Sequence, residues 1–466
     1  MVHKLSCQRP GRILLLVLTF VLIFIGCKKD DPAPQYPSGT NENINTWILD
    51  SLQRYYYWSD NLPSKPDISA DPQTFFTSLK NSNDRFSYMV LPNDPSTYTP
   101  NSRGKYGFDY AVVSEQESGL VFGVVRFVLR DSPASRNGLK RGEYISKING
   151  KQLTSANAET LQQELLTASS CSLTIVQRQG NVLTDQRTVE IATGFVFEQP
   201  AVSKIFEKGA RKIGYVYIYD FSAGIVRSLL DDFQSFKTQG ITDIILDLRY
   251  NPGGQVAEAA GLSGLVSGLP YETPFITYKG NKNGGTNIES IGRTATLDGT
   301  VQYNTVLQNS MTLSRIYVLS TASTASASEI IINNLKPFMD VVLIGEKTRG
   351  KDEASFLIND QRSSKEVEWE MHPIIYKLAN AKGNGGYSAG IAPDHLLNEL
   401  SYLPLLEIGD ENDPLIEQAL KIIASKTAKT QFSGRISKDR DIVTRKVLTD
   451  SRSTDTKNST ILTKPR

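Results

Sequence analysis

Residues 315–329 read RIYVLSTASTASASE. The first six residues form a short apolar run bounded by polar residues, which predicts a buried strand. The small hydroxyl residues after it predict a tight turn into a helix, where free N–H groups can stabilise a developing oxyanion. Residue types alone do not choose a nucleophile among Ser323, Ser326 and Ser328, because small polar residues before a helix usually act only as caps.

Further short apolar runs lie on both sides of this stretch and alternate with helical patterns. The predicted strands are 213–219, 243–247, 316–320 and 341–345, and the predicted helices are 223–236, 328–336 and 415–423. This alternation predicts an α/β core over residues 200–423 with a largely buried sheet.

Two smaller units are expected before this core. Residues 43–58 have helical spacing, and Asp71 followed by Pro72 begins a second short helix, which together predict a small helical module over 43–100. Residues 103–195 contain short strand patterns separated by turn signals. The expected fold class is therefore a multidomain α+β protein.

The segment 131–150 reads DSPASRNGLKRGEYISKING, and its helix, glycine turn, strand and Asn-Gly turn resemble a PDZ domain. Upstream, Tyr106, Gly107 and Phe108 stand where PDZ domains carry their carboxylate-binding loop. The resemblance implies that backbone N–H groups there receive the carboxyl terminus of a peptide, which adds as a strand to the sheet edge. An ordinary glycine turn in a β-domain is the alternative.

Four motifs follow in order, namely DLRYNPGG at 247–254, TASASE at 324–329, GEKTRGK at 345–351 and GIAPD at 390–394. Together they resemble the carboxyl-terminal processing (tail-specific) peptidases, exported Ser–Lys proteases related to the tricorn core, whose catalytic domain is crotonase-like. The resemblance implies that Ser326 is the nucleophile and Lys351 its base. It also implies that the oxyanion hole uses the amide of Ala327 and that of Gly253, with Gly254 as the alternative.

Lysine can serve as the base only in its neutral form, and a free lysine has a pKa of about 10.4. Burial in an apolar pocket would lower that pKa. Lys347 is the competing candidate and is expected to be a surface charge. Glu329 matches the family glutamate, although a favourable charge in a first helical turn would explain it as well. Many relatives place a glutamine where this chain has Ser355, which is expected to bond Lys351 or to leave that role to another group.

Composition excludes several protein classes. An apolar fraction of 39% and a charged fraction of 21% exclude wholesale disorder. The net charge is +2, but residues 425–466 carry +7 and the body is acidic, which argues against a nucleic-acid platform. Three scattered cysteines and three histidines offer neither a disulfide framework nor a metal site. Residues 424–466 are expected to form a basic, disordered tail.

The amino terminus carries a targeting pattern. Lys4, Arg9 and Arg12 precede an apolar run that ends in Gly26 and Cys27. The pattern resembles a bacterial lipoprotein site and implies a signal peptide over 1–26, acylation of Cys27 and a tether over 27–42. An uncleaved anchor with an incidental cysteine is the alternative. Either arrangement holds the protein at a membrane of the bacterial cell envelope, facing the periplasm or the surface.

The expected function is that of a membrane-anchored serine endopeptidase that takes protein or peptide substrates by their free carboxyl termini. No cofactor, metal or nucleic-acid partner is expected, and the oligomeric state is left open. The alternatives are a non-catalytic PDZ-bearing scaffold or ligand-binding lipoprotein on the same fold, and a crotonase-type acyl-group enzyme. The export signal and the PDZ pattern argue against the last.

Overall fold

The computed structural model describes residues 36–98, 102–196, 201–209, 211–425 and 443–452. The predicted signal peptide, the acylation site Cys27 and most of the predicted tether lie outside these ranges. Among the helices within them, none combines the length and the apolar composition that crossing a bilayer requires.

The amino-terminal module packs against the α/β core. It contains α1 (Asn41–Tyr55), α2 (Pro72–Leu79) and β1 (Tyr88–Val90). The Asp71 carboxylate caps α2 by accepting the N–H groups of Gln73 at 3.1 Å and Thr74 at 3.0 Å. The module was predicted to be helical, but it also contains a strand, because β1 pairs with β16 (Glu370–His372) of the core. Helix α1 begins at Asn41, inside the predicted tether.

The PDZ unit is built around an antiparallel sheet with its own apolar core. Its elements are α3 (Ser102–Tyr106), β2 (Phe108–Glu115), β3 (Val121–Val128), α4 (Pro133–Arg136), β4 (Tyr144–Ile148), β5 (Lys151–Gln152), α5 (Ala158–Thr167), β6 (Ser170–Gln179) and β7 (Val182–Ala192). Strands β2, β3, β4, β6 and β7 are neighbours in that order, and β5 pairs with β4.

The α/β core alternates strands and helices as predicted. Its strands are β8 (Ala201–Lys208), β9 (Arg211–Ile218), β10 (Asp243–Asp247), β11 (Pro274–Lys279), β12 (Thr286–Ser290), β13 (Arg315–Ser320), β14 (Asp340–Gly345), β15 (Glu353–Ser355), β16 (Glu370–His372), β17 (Ile374–Asn380) and β18 (His395–Leu396). Its helices are α6 (Ile225–Thr238), α7 (Val256–Ser267), α8 (Ile291–Ala295), α9 (Tyr303–Gln308), α10 (Ala327–Leu335) and α11 (Pro414–Ala424). The expected multidomain α+β fold is confirmed.

The main sheet brings the sequence motifs to one edge. Its strand order is β18-β14-β13-β10-β9-β8, with β8 antiparallel to β9 and all other neighbours parallel. Asp247 of β10 pairs with Leu319 of β13, and Ser320 pairs with Gly345 of β14. Since the carboxyl ends of parallel strands share an edge, the segments after β10, β13 and β14 meet there. A separate antiparallel sheet has the order β12-β11-β17-β15, and β1 pairs with β16.

The prediction of a disordered tail is wrong for residues 443–452. These residues include β19 (Arg445–Asp450), which pairs antiparallel with β2 at the edge of the PDZ sheet. The basic composition of the tail concealed this strand, because the partners of its arginines lie far away in the sequence. Arg445, for example, donates to the carboxylate of Glu115, 330 residues earlier. Ala424 and Ser425 end and cap α11, and residues 426–442 and 453–466 of the predicted tail lie outside the described residues.

Candidate active site

Ser326 stands at the turn between β13 and α10, where it is the N-cap residue of the helix. Its backbone has a φ of +60° and a ψ of −116°, which is unusual for a residue with a side chain. Such strained backbone persists only where the surroundings hold it, and it concentrates at functional sites. Ser326 is fully buried in this arrangement.

The carboxylate of Glu329 holds the Ser326 turn and the Lys351 loop together. Its Oε2 atom accepts the backbone N–H of Ser326 at 2.7 Å and that of Lys351 at 2.8 Å. Its Oε1 atom accepts the Gly350 N–H at 2.8 Å and the Thr348 hydroxyl at 2.5 Å. Burial raises the pKa of Glu329, and these four donors counteract that rise. Glu329 of the TASASE motif therefore connects the two loops through buried hydrogen bonds.

Lys351 has the environment that a neutral lysine requires. Its side chain is 3% exposed, and its Nζ atom lies 4.7 Å from the centroid of the Phe86 ring. Burial lowers the pKa of Lys351 to about 7, with the nearby positive charge of Arg349 acting in the same direction. A large fraction of this amine is therefore unprotonated near neutral pH.

Carboxylates lie near Lys351, but the nearby Asp352 and Glu353 form ion pairs with another lysine, Lys377. Lys377 donates to Asp352 at 2.9 Å and to Glu353 at 2.5 Å. The charges of Glu353, Glu329 and Asp84 still favour protonation of Lys351, and desolvation outweighs them. Within the part of the chain that the structure describes, no carboxylate forms an ion pair with Lys351.

The turn after β10 lies directly against Ser326. A β-carbon built on Gly253 would be 2.5 Å from the Cβ of Ser326 and 2.9 Å from the backbone nitrogen of Ala327. The Gly253 N–H donates to the side-chain oxygen of Asn251 at 2.8 Å. The predicted oxyanion residues are thus neighbours, while the Gly253 amide is engaged in this conformation.

Three parts of the chain match known domain families. Residues 43–88 match the peptidase S41 N-terminal domain, residues 96–176 a PDZ domain and residues 212–396 peptidase family S41. The α/β core therefore matches peptidase family S41. This match, together with the relatives of the chain, indicates a serine-type peptidase.

Relatives of this chain include proteins named for carboxyl-terminal processing. The chain is 28% identical over 313 residues to the carboxyl-terminal-processing protease of Picosynechococcus, covering 66% of this chain and 67% of that one. It is 27% identical over 277 residues to the chloroplastic carboxyl-terminal-processing peptidase 3 of Arabidopsis thaliana, covering 58% of this chain and only half of that one. A crystal structure of an S41-family protein from Bacteroides fragilis superposes with a TM-score of 0.65 at 26% identity, covering 84% of this chain and 99% of that one.

The alternative candidates for the nucleophile and the base lie in other environments. The Ser323 hydroxyl donates to the carboxylate of Asp450 at 3.3 Å, and the Ser328 hydroxyl points to the Asn251 carbonyl at 3.4 Å. Lys347 is exposed to solvent, as predicted for a surface charge. Ser355 is buried in β15, which pairs with β17.

The predicted carboxylate-binding loop differs from expectation. The side chains of Tyr106 and Phe108 are fully buried in the PDZ core. The Gly107 N–H donates to the carbonyl of Arg103 at 2.9 Å, so it is not the exposed donor that the resemblance implied. The Tyr110 N–H, in contrast, faces the β19 edge of the sheet, where it donates to the Ser451 hydroxyl oxygen at 3.0 Å.

Sequence reasoning missed the contribution of the amino-terminal module to the site. Phe86 covers the Lys351 amine, and Arg85 donates to the carbonyls of Gly350 and Ser388. Asp84 shapes this loop by accepting the Phe86 N–H at 3.0 Å. No local signal in the sequence connects these residues with Lys351, because the contact spans 265 residues.

Two further residues of the motifs, Asp247 and Arg249, belong to a buried ion cluster. Arg249 donates to Asp247 at 2.6 Å and to Asp413 at 2.8 Å, and all three side chains are buried. This cluster fixes the start of the turn that carries Gly253. Because desolvation of buried charges can exceed their mutual attraction, this cluster is weak evidence for added stability.

Proposed function

We propose that this S41 peptidase cleaves peptide bonds with Ser326 as the nucleophile and Lys351 as its general base. The single observation that carries the proposal is the buried Lys351, whose pKa is lowered to about 7, with its backbone fixed to that of Ser326 through Glu329. A general base is most effective when its pKa lies near the working pH.

Acylation requires Lys351 first to accept a proton from Ser326 and then to donate it to the leaving amine. The Ser326 oxygen attacks the carbonyl carbon of the scissile bond while its proton passes to the Lys351 amine. The oxyanion that forms is stabilised by the amide of Ala327 and by the Gly253–Gly254 turn. Lys351 then gives its proton to the leaving amine, and water hydrolyses the acyl-enzyme by the same route in reverse.

In this proposal the PDZ unit recruits exported proteins by their carboxyl termini, and acylated Cys27 holds the enzyme at a membrane of the bacterial cell envelope. The edge of the PDZ sheet at β2 follows directly after α3 and Gly107, which is where an added peptide strand would end. The names of the relatives support a role in carboxyl-terminal processing.

Casein digestion by three variants tests the dyad. Ser326→Ala and Lys351→Met should each lower turnover by about a thousandfold or more, and the double variant should lose little further because both residues serve one proton transfer. Lys347→Met is the matched control, since that exposed lysine lies four residues before Lys351. Activity retained in Lys351→Met would exclude the dyad, and a wild type without any hydrolysis would favour a non-catalytic scaffold.

Recognition of the terminus is tested separately. One peptide is offered as the free acid and as the amide, which removes the terminal charge. The free acid should have the lower KM if the PDZ unit reads the carboxylate. Equal kcat/KM values for the two forms would show that the terminus is not read.

A further inference from the structure

The edge of the PDZ sheet is already occupied by the chain itself. Strand β19 pairs antiparallel with β2, and Val447 and Asp450 lie opposite Val113 and Ala111. The pairing continues at Ser451, whose N–H donates to the Tyr110 carbonyl at 3.0 Å and whose hydroxyl oxygen accepts the Tyr110 N–H at 3.0 Å. Without these residues β2 would be an edge strand with unpaired backbone groups.

The position of β19 is that of an added peptide strand. Peptides bind PDZ domains by joining the sheet edge, and β19 runs antiparallel to β2, toward the loop that contains Gly107. Helix α5 closes the other side of this groove. Its Gln162 accepts the Thr449 hydroxyl at 2.5 Å and donates to the Asp450 carbonyl at 3.2 Å. The side chain of Leu448 packs against the apolar core of the PDZ unit.

Ion pairs fix the register of this strand. Arg445 donates to Glu115 at 2.7 Å near the start of β19, and Asp450 accepts from Arg126 at 2.5 Å at its end. Arg445, Glu115 and Arg126 are all buried. Because buried ion pairs tolerate few alternative alignments, they select one register over others.

The strand continues onto the catalytic face of the core. The Asp450 carboxylate accepts the hydroxyl of Ser323, three residues before the nucleophile. The Arg452 carbonyl accepts from Arg349 at 2.6 Å, two residues before the base. The Arg452 guanidinium donates to the carbonyl of Tyr250 at 3.3 Å, on the turn that leads to the oxyanion residues. Residues 450–452 thus contact all three catalytic segments.

These contacts are made in an arrangement that buries the nucleophile. Ser451 has no exposed surface, Arg452 is 3% exposed and Ser326 is fully buried. A substrate can bring a carbonyl group to the Ser326 oxygen only after the segments around Ser326 move, and residues 450–452 are hydrogen-bonded to three of these segments.

We propose that residues 443–452 are an intramolecular ligand of the PDZ groove and that a substrate peptide must displace them to reach Ser326. This inference rests on the proposed function in one respect, namely that substrates bind at the same sheet edge. A ligand on the same chain binds its groove intramolecularly, so it competes with an external peptide at a high effective concentration. The groove is therefore open in only a fraction of molecules, and the apparent affinity for any external peptide is reduced by that fraction.

A reversible disulfide between β2 and β19 tests the proposal. Ser114 and Lys446 are opposite each other in the two strands, and neither is fully buried. Antiparallel partners lie about 4.5–5.5 Å apart between Cα atoms, within the distance that a disulfide spans. In the Ser114→Cys/Lys446→Cys double variant, oxidation should slow peptide hydrolysis about tenfold or more, and reduction should restore it. The two single variants are the controls. Equal rates in the oxidised and reduced forms would overturn the proposal.

Binding provides a readout that does not depend on hydrolysis. The probe is a fluorescein-labelled peptide with the sequence of residues 443–452, VTRKVLTDSR, and the protein is the full chain carrying Ser326→Ala. Adding Ser451→Pro removes both hydrogen bonds to Tyr110 and should increase the affinity for the probe about tenfold or more. The matched control is Lys446→Ala, an exposed position on the same strand.

The two readouts separate the inference from the proposed function. Probe affinity that is the same in Ser451→Pro, in the control and in the oxidised double variant would overturn the intramolecular ligand, even if the enzyme hydrolyses peptides. Tighter probe binding in Ser451→Pro supports it, even if neither form hydrolyses any peptide.

Discussion

Gly253 lies so close to Ser326 that a β-carbon on the glycine would stand 2.5 Å from the Cβ of the serine. The backbone of Gly253 also has a φ of +103°, which residues with side chains rarely adopt. The approach of these two residues brings the turn after β10 to the nucleophile.

Gly253→Ala should therefore displace either the turn or Ser326. We expect the kcat for peptide hydrolysis to fall about 100-fold or more, which is the range for loss of an oxyanion donor. The control is Gly224→Ala, where φ is +93° but nothing lies within 4 Å of the added carbon. Equal activity in the two variants would show that the close approach is unimportant.

Glu329→Gln should disrupt the connection between the Ser326 turn and the Lys351 loop. The carboxylate accepts four hydrogen bonds. A glutamine amide has an NH2 group in place of one oxygen, so this group would face N–H or O–H donors that then have no acceptor. The cost should be about 1–3 kcal/mol for each buried group left without a partner, measured as a lower Tm, together with a fall in kcat.

The matched control for that variant is Glu159→Gln, which also replaces a glutamate in the first turn of a helix but at an exposed position of α5. Its Tm and kcat should stay near the wild-type values. If Glu329→Gln behaves in the same way, Glu329 is only a favourable charge at the start of α10.

The sequence predicted the segments of the site well and their surroundings poorly. The strand and turn that lead to Ser326 follow from local apolar patterns and small residues, which need no distant partner. Phe86 and β19 could not be found in this way. The contact of the Phe86 loop with the catalytic loop spans 265 residues, and the VTRKVLTDSR segment has too few apolar residues to predict a strand until β2 and α5 are present. The engaged Gly107 amide likewise follows from the turn of α3, which family resemblance does not reveal.

Cys27→Ser should release the protein from membranes or leave it unprocessed. Two acyl chains on one residue give stable anchoring, whereas the described helices offer no membrane-spanning segment. Fatty-acid labelling and membrane fractionation of cells that express the two forms provide the measurement. Labelling that is unchanged in Cys27→Ser would place the acylation elsewhere.

Wild-type activity should rise with pH through about 7, because Lys351 acts as a base only after it loses its proton. The same pKa shift has a consequence for stability. Below about pH 7 the folded protein holds a buried charged amine at a cost, and between pH 7 and 10.4 the unfolded state binds more protons, so this cost falls as pH rises. Lys351→Met should therefore raise the Tm, most strongly at low pH and least near pH 10. A constant Tm difference across this range would contradict the lowered pKa.

Phe86→Ala should shift the activity profile without removing either member of the dyad. The Phe86 ring lies over the Lys351 amine and keeps water from it, and desolvation is the largest cause of the lowered pKa. Without the ring, the pKa of Lys351 should rise from about 7 toward its ordinary value, so the acidic limb of the kcat/KM profile should move to higher pH. Tyr88→Ala is the control, because that ring stacks on His372 at 4.6 Å and its loss loosens the same module. If Phe86→Ala and Tyr88→Ala lose the same activity at every pH, Phe86 only supports the fold of the module. If the acidic limb of the kcat/KM profile moves in Phe86→Ala alone, the amino-terminal module sets the protonation of Lys351.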